Sequence, residues 1–183
     1  MKDLDPRLTE MLDRYEVWQV MLRYARGLDR MDRVMMRSCY FDDAIDDHGI
    51  FVGTADAFID WAMDHHRHTN TVHHHGLSNH YCEIDGQVAR AETYFTFFGA
   101  NVRAPHTLAF GRYLDRLEKR DGIWRIAGRI CLTEAVVEVD DAAMPPAYRA
   151  ALMSNGPATR DATDPSYARP LTPRPPQQVR QSS

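Results

Sequence analysis

Six of the nine histidines of this chain crowd into one stretch: His65, His66, His68, His73, His74 and His75. If the residues after Thr71 form a strand, alternation places His73, His75, Leu77 and Asn79 on one face and turns His74 and His80 to the other. An imidazole has an ordinary pKa near 6.5 and so can take a proton at cellular pH. To work as a base it needs a carboxylate behind it, which fixes its tautomer and steadies its charged form. Asp29 is the candidate. Leu8, Leu12, Tyr15, Trp18, Leu22 and Ala25 recur at helical steps, and the next step lands on Asp29. A carboxylate on a core-facing stripe needs a partner if it is buried. His75 with Asp29 is therefore the candidate proton-abstracting pair, although a histidine on a strand more often serves structure. Arg129, five residues after Trp124, reads either as an exposed strand arginine or as a cation that steadies a developing anion or leaving group. Tyr24, Tyr94, Tyr113 and His106 are candidate proton donors, although aromatic side chains in strands usually serve the core. Tyr113, Tyr94, His106, His73 and Asn79 are the expected substrate-contacting residues.

Other chemistries lack their signatures. The histidine run has no HExxH spacing and no neighbouring Glu ligand, so it reads as a helix end joined to a strand start, with no metal expected. No phosphate-binding glycine loop and no GxSxG elbow occur. Cys39, Cys82 and Cys131 are odd in number and far apart, which fits three reduced thiols. The net charge of −4 and a pI of about 6.1, with basic and acidic residues interspersed, argue against a nucleic-acid partner. No apolar run approaches the ~20 residues that span a bilayer. The segment Met1–Glu10 has no apolar stretch like that of a signal peptide, so a cytoplasmic location is expected.

The elements that must position these groups are legible in outline. Asp5-Pro6 starts a long helix, with Gly27 near its end. Asp32 caps a short helix through about Tyr40. Residues 41–52 read as a strand with acidic ends, and Thr54 caps a third helix carrying Phe58, Trp61 and Ala62. Four long strands follow: 72–84 and 88–100 around Asp85-Gly86, and 107–119 and 123–139 around Asp121-Gly122, both hairpin signals. Helices segregated from an antiparallel sheet give an α+β domain over residues 1–143. Residues 144–183 read as a short helix, AYRAALM, followed by a Pro-rich arm or tail. Phe95, Phe97, Leu108 and Phe110 are expected on the outer face of the sheet, where copies could associate.

The segments YARGLDRMD, the DDA strand start, TVHHHGLSN, IDGQVARAE and FGRYLDRLEKRDGIWRIAGR together resemble one family over about residues 8–140. It is the SnoaL-like branch of the nuclear-transport-factor-2-like superfamily, the branch of scytalone dehydratase and hexachlorocyclohexane dehydrochlorinase. The resemblance implies a cone-shaped, curved antiparallel sheet wrapped around N-terminal helices, a cystatin-like roll. It also implies cofactor-free lyase chemistry through an Asp–His dyad. Asp29 matches the Asp after the first helix, and His75, four residues before Asn79, matches the His. Arg129 matches the arginine after the last-strand Trp. Tyr24 matches the tyrosine five residues before the Asp, where the dehydrochlorinase has lysine, so a chlorinated substrate is not implied. The implied substrate is a hydrophobic ring compound of aryl, polyketide or steroid type. The reaction is a dehydratase-type elimination or a retro-aldol loss of aldehyde. An isomerase or cyclase using the same pocket, and a non-catalytic binding or assembly module, remain open on the sequence. A homotrimer, with a dimer next, is the implied assembly.

Overall fold

A computed structural model describes residues 5–156 and 158–175. Helix α1 (Pro6–Asp29) starts where Asp5 accepts the Arg7 backbone N–H at 2.9 Å. It ends two residues beyond Gly27, in a Schellman-type close. Met31 takes a positive φ of 53°, Asp32 N donates to Gly27 O at 2.8 Å, and Met31 N donates to Leu28 O at 3.1 Å. Gly27 serves packing instead: a Cβ there would meet the Met36 backbone at 2.8 Å. It lets α2 (Arg33–Arg37), capped by Asp32, lie close against α1.

The buried face of α1 keeps only the end of the predicted stripe: Ala25 and Asp29 are buried and Trp18 packs against the core. Leu8, Leu12, Tyr15 and Leu22 are exposed, while Asp13, Val17, Val20, Met21, Tyr24 and Leu28 face the core. This second set also runs at steps of three and four, so two faces competed on helical spacing. The buried set is anchored by Asp13, which accepts from Trp124 Nε1 at 2.8 Å and Lys119 Nζ at 2.6 Å.

Strands β1 (Tyr40–Asp47) and β2 (Val52–Thr54) replace the single predicted strand. Helix α3 (Ala55–Thr69) follows its Thr54 cap. Then come β3 (Asn70–Asp85), β4 (Val88–Asn101), β5 (His106–Arg120) and β6 (Ile123–Val139). One six-stranded sheet runs β2-β1-β6-β5-β4-β3, antiparallel except that β1 lies parallel to β6. The hairpin loops are Gly86–Gln87, with positive φ at Gly86, and Asp121–Gly122, with positive φ at both. The first loop thus sits one residue later than Asp85-Gly86. The unclosed sheet curves round α1 and α3, and Tyr24, Tyr40, Phe58, Tyr113, Trp124 and Ile126 are sealed between them. After α4 (Pro146–Leu152), the arm returns to α1, where Asp164 pairs with Arg30 at 2.9 Å and the Tyr167 ring lies under Arg26. No helix among the described residues is long and apolar enough to cross a membrane.

Candidate active site

The last turn of α1 brings Asp29 against β3. Its Oδ1 accepts from His75 Nδ1 at 2.7 Å, and its Oδ2 accepts the His75 backbone N–H at 2.9 Å. Both oxygens are thus used, and the His75 side chain is only 6% exposed. With Nδ1 engaged, Nε2 is the free position on the ring, and no described residue bonds to it. His75 lines a cavity of about 170 Å³ whose wall is mainly aromatic and aliphatic: Phe58, Trp61, Phe95, Phe97, Tyr113, Leu28 and Ala109. A wider cleft of about 610 Å³, over the ends of α3 and β4, contains neither member of the pair.

A second carboxylate–imidazole pair lies on the same cavity and went unread in the sequence. His48, at the turn after β1, bonds through Nδ1 to Asp46 Oδ1. Asp46 is fully buried and accepts from Tyr40 Oη at 2.6 Å through its other oxygen. The His48 ring stacks on Phe58 at 4.3 Å and lies 6.2 Å from Tyr113. Two further cavity histidines lack a carboxylate among the described residues. His65 stacks on Trp61. His66 bonds Asn70 and stacks on His73 at 4.2 Å. Burial, helped by the neighbouring His73, pushes the His66 pKa down to about 3.

Arg129 fits neither reading offered by the sequence: it is not exposed, and it does not line the cavity where a leaving group would stand. It is buried, with Nε donating to Asp115 Oδ1 at 2.7 Å and Nη2 to Oδ2 at 3.0 Å. Its guanidinium sits in the corner formed by the edge-to-face rings of Tyr24 and Tyr113, 3.9 and 4.2 Å from their centroids. This double cation–π contact compensates part of the cost of an Nη1 that has no partner among the described residues. Tyr24 is fully buried behind Tyr113, and its hydroxyl also lacks a described partner. Burial drives both phenol pKa values far up, so both rings stay neutral. Of Arg129, Tyr24 and Tyr113, only Tyr113 reaches the cavity.

The remaining predicted contacts are dispersed. His73 is buried, its Nε2 donating to Leu28 O at 3.1 Å and its Nδ1 facing Arg160. Burial lowers its pKa to about 4, so it packs as a neutral ring. A β-bulge between Leu77 and His80 breaks the alternation. Asn79 is consequently exposed, whereas His80 turns inward onto Trp18 and bonds Thr93. Tyr94 lies on the outer face beneath Arg112. His106, at the β5 start, accepts from Asn101 N at 3.1 Å and faces Asp141. Phe95 and Phe97, expected outside, line the cavity, while Phe110 does stand on the outer face.

A cone of curved sheet around a long N-terminal helix, with a carboxylate–histidine pair on its cavity, defines an α+β roll of the nuclear-transport-factor-2-like type. Within that class the chain belongs to the family of SnoaL-like domains, whose model matches residues 9–130. The chain is similar to a hexachlorocyclohexane dehydrochlorinase, LinA type 2, with a TM-score of 0.70 at 17% identity, over 76% of this chain and 97% of that one. It is also similar to a protein of Novosphingobium aromaticivorans DSM 12444 provisionally named a scytalone dehydratase. That match has a TM-score of 0.66 at 18% identity, over 75% of this chain and 95% of the other. A cystatin-like protein from Nostoc punctiforme PCC 73102 matches with a TM-score of 0.56 at 20% identity, over 67% of this chain and 92% of that one. At these identities the likeness establishes the fold. No curated protein matches the chain.

Proposed function

We propose that this protein is a cofactor-independent lyase in which His75, held by Asp29, removes a proton from a hydrophobic, ring-bearing small molecule. The observation that carries the reading is the two-point contact of Asp29 with His75, made on the wall of an apolar cavity. A base must reach its proton with its ring already aligned, and the double contact fixes both the rotamer and the tautomer. The electron pair left on carbon would then expel a group from the adjacent carbon, giving an alkene. Cavity size narrows the substrate. A space of about 150 Å³ holds one benzene, so about 170 Å³ seats a single aryl ring, with the rest of the molecule at the mouth. A fused steroid nucleus would need the cavity to widen. Two of the named structural relatives, a dehydrochlorinase and a provisional dehydratase, are named for eliminations, which agrees with this reading.

The test is elimination and solvent exchange on a β-hydroxy ketone carrying one phenyl ring. In D2O the native chain should incorporate deuterium at the carbon between carbonyl and carbinol and release the enone. His75→Ala should lose both. Exchange without release would instead identify an isomerase-type proton transfer, and neither would leave a binding module. We also propose a homo-oligomer, trimer before dimer, packed on the outer sheet face around Phe110 and Leu132, both of which are partly exposed; light scattering decides it.

A further inference from the structure

We propose that His48, held by Asp46, is the general acid that protonates the leaving group, and that the departing group is therefore an oxygen, leaving as water, and not a halide. This rests on the reading of His75 as the base.

The sheet topology explains how the two imidazoles meet one substrate. β3 forms one edge of the sheet and β1 lies next to the other, with β6, β5 and β4 between them. Curvature folds these distant strands toward each other, so His75 and His48 line a single cavity. The stacked rings of Phe95 and Tyr113, 4.6 Å apart, form the wall that links them. His75 lies 6.4 Å from Phe95, and His48 lies 6.2 Å from Tyr113. Of the four histidines on the cavity, only these two have a carboxylate on Nδ1 among the described residues. In each ring that contact leaves Nε2 as the position through which a proton can enter or leave. Other donors at the cavity are poorer: burial pushes the Cys131 thiol up to about 12 and the Tyr113 phenol well above its ordinary value.

The step balances as follows. His75 Nε2 takes a proton from the substrate carbon. That C–H pair becomes the new C=C bond. The C–O pair leaves with oxygen, which takes the proton from His48 Nε2, and water and an alkene result. His75 ends with one proton more and His48 with one fewer. Exchange with the released water restores both. A halide leaves without a proton and would give His48 nothing to do.

The experiment uses the full chain and two probes, 3-hydroxy-1-phenylpropan-1-one and 3-chloro-1-phenylpropan-1-one, each corrected for its spontaneous rate. His48→Asn keeps a donor to Asp46 where Nδ1 stood and removes the cavity nitrogen; His48→Gln places an amide near the Nε2 position that cannot release a proton. Both variants should lose at least ~10²-fold in kcat on the hydroxy ketone. Both should retain deuterium exchange at the carbon beside the carbonyl and whatever chloride elimination the native chain performs; a native chain that eliminates chloride but not water overturns the oxygen assignment. Equal losses on both probes and on exchange, or no loss on the hydroxy ketone, overturn the acid assignment. If the native chain neither exchanges nor eliminates either probe, the lyase reading falls, and this one with it.

Discussion

Among the aspartates of this fold that hold a cationic or proton-binding partner across elements, Asp115 and Asp29 are built to opposite ends. Asp115 and Arg129 are both wholly enclosed, bonded at 2.7 and 3.0 Å and roofed by two tyrosine rings. Asp29 and His75 are bonded as tightly, yet the imidazole keeps one side toward a cavity. A charge closed on every side can only shape the wall; one with an open side can exchange a proton with a guest. The contrast teaches that residue type alone, an Arg or a His beside an Asp, does not identify the working pair.

The largest effect that would sharpen this contrast is on turnover. His75→Ala should lower kcat by about 10²- to 10⁴-fold with the circular dichroism spectrum unchanged. Loss of the spectrum would instead make His75 part of the scaffold. Arg129→Met should do the reverse. It strands a buried carboxylate, and urea unfolding should report a loss of about 3–5 kcal/mol, largely recovered when Asp115→Leu is added. A stable Arg129→Met protein would break the comparison. Asp29→Asn keeps an acceptor for the His75 backbone and removes the charge, so a kcat loss of about 10- to 100-fold with little change in KM is expected. A change in KM alone would make Asp29 a binding group.

Smaller effects follow from the neutral histidine stack. Burial holds His66 at about 3 and His73 at about 4, both below the ordinary 6.5. The unfolded chain therefore binds more protons than the folded one between these limits. The stability these rings contribute is complete above about pH 6.5 and is lost as pH falls toward 4 and then 3. His66→Gln should flatten that part of a urea-midpoint profile, and an unchanged slope would place the sensitivity elsewhere. Last, Asp164→Ala removes the half-buried pair with Arg30, costing about 1 kcal/mol and exposing the arm to protease earlier than the sheet.

Much of the fold was legible because it is periodic: the long first helix, the caps Asp5, Asp32 and Thr54, and four strands joined at glycine turns. The His75–Asp29 contact was legible even though most of the stripe leading to Asp29 is exposed, because a carboxylate near the end of a helix and a histidine on a strand each ask for a partner. The rest depended on one-residue irregularities. Counting outward from the Asp121–Gly122 turn pairs Arg129 with Leu114, but the bulge between Arg116 and Leu117 shifts its partner to Asp115, and with it the meaning of the arginine. The bulge in β3 exchanged Asn79 for His80 in the same way. His48 was missed because an Asp two residues before a His is ordinary in a polar turn. Only the curvature of the sheet gives it a cavity to face.

Among the described residues strand β3 is an edge, paired only with β4. Bare edges invite pairing with other chains. The His75 backbone N–H that points away from β4 is the one Asp29 accepts at 2.9 Å. The same carboxylate that orients the imidazole therefore also occupies a hydrogen-bonding position on which a foreign strand could dock. On the proposed mechanism Asp29 would thus serve two ends, turnover and the protection of an edge, and a chain that loses it would leave this backbone position open to a foreign strand.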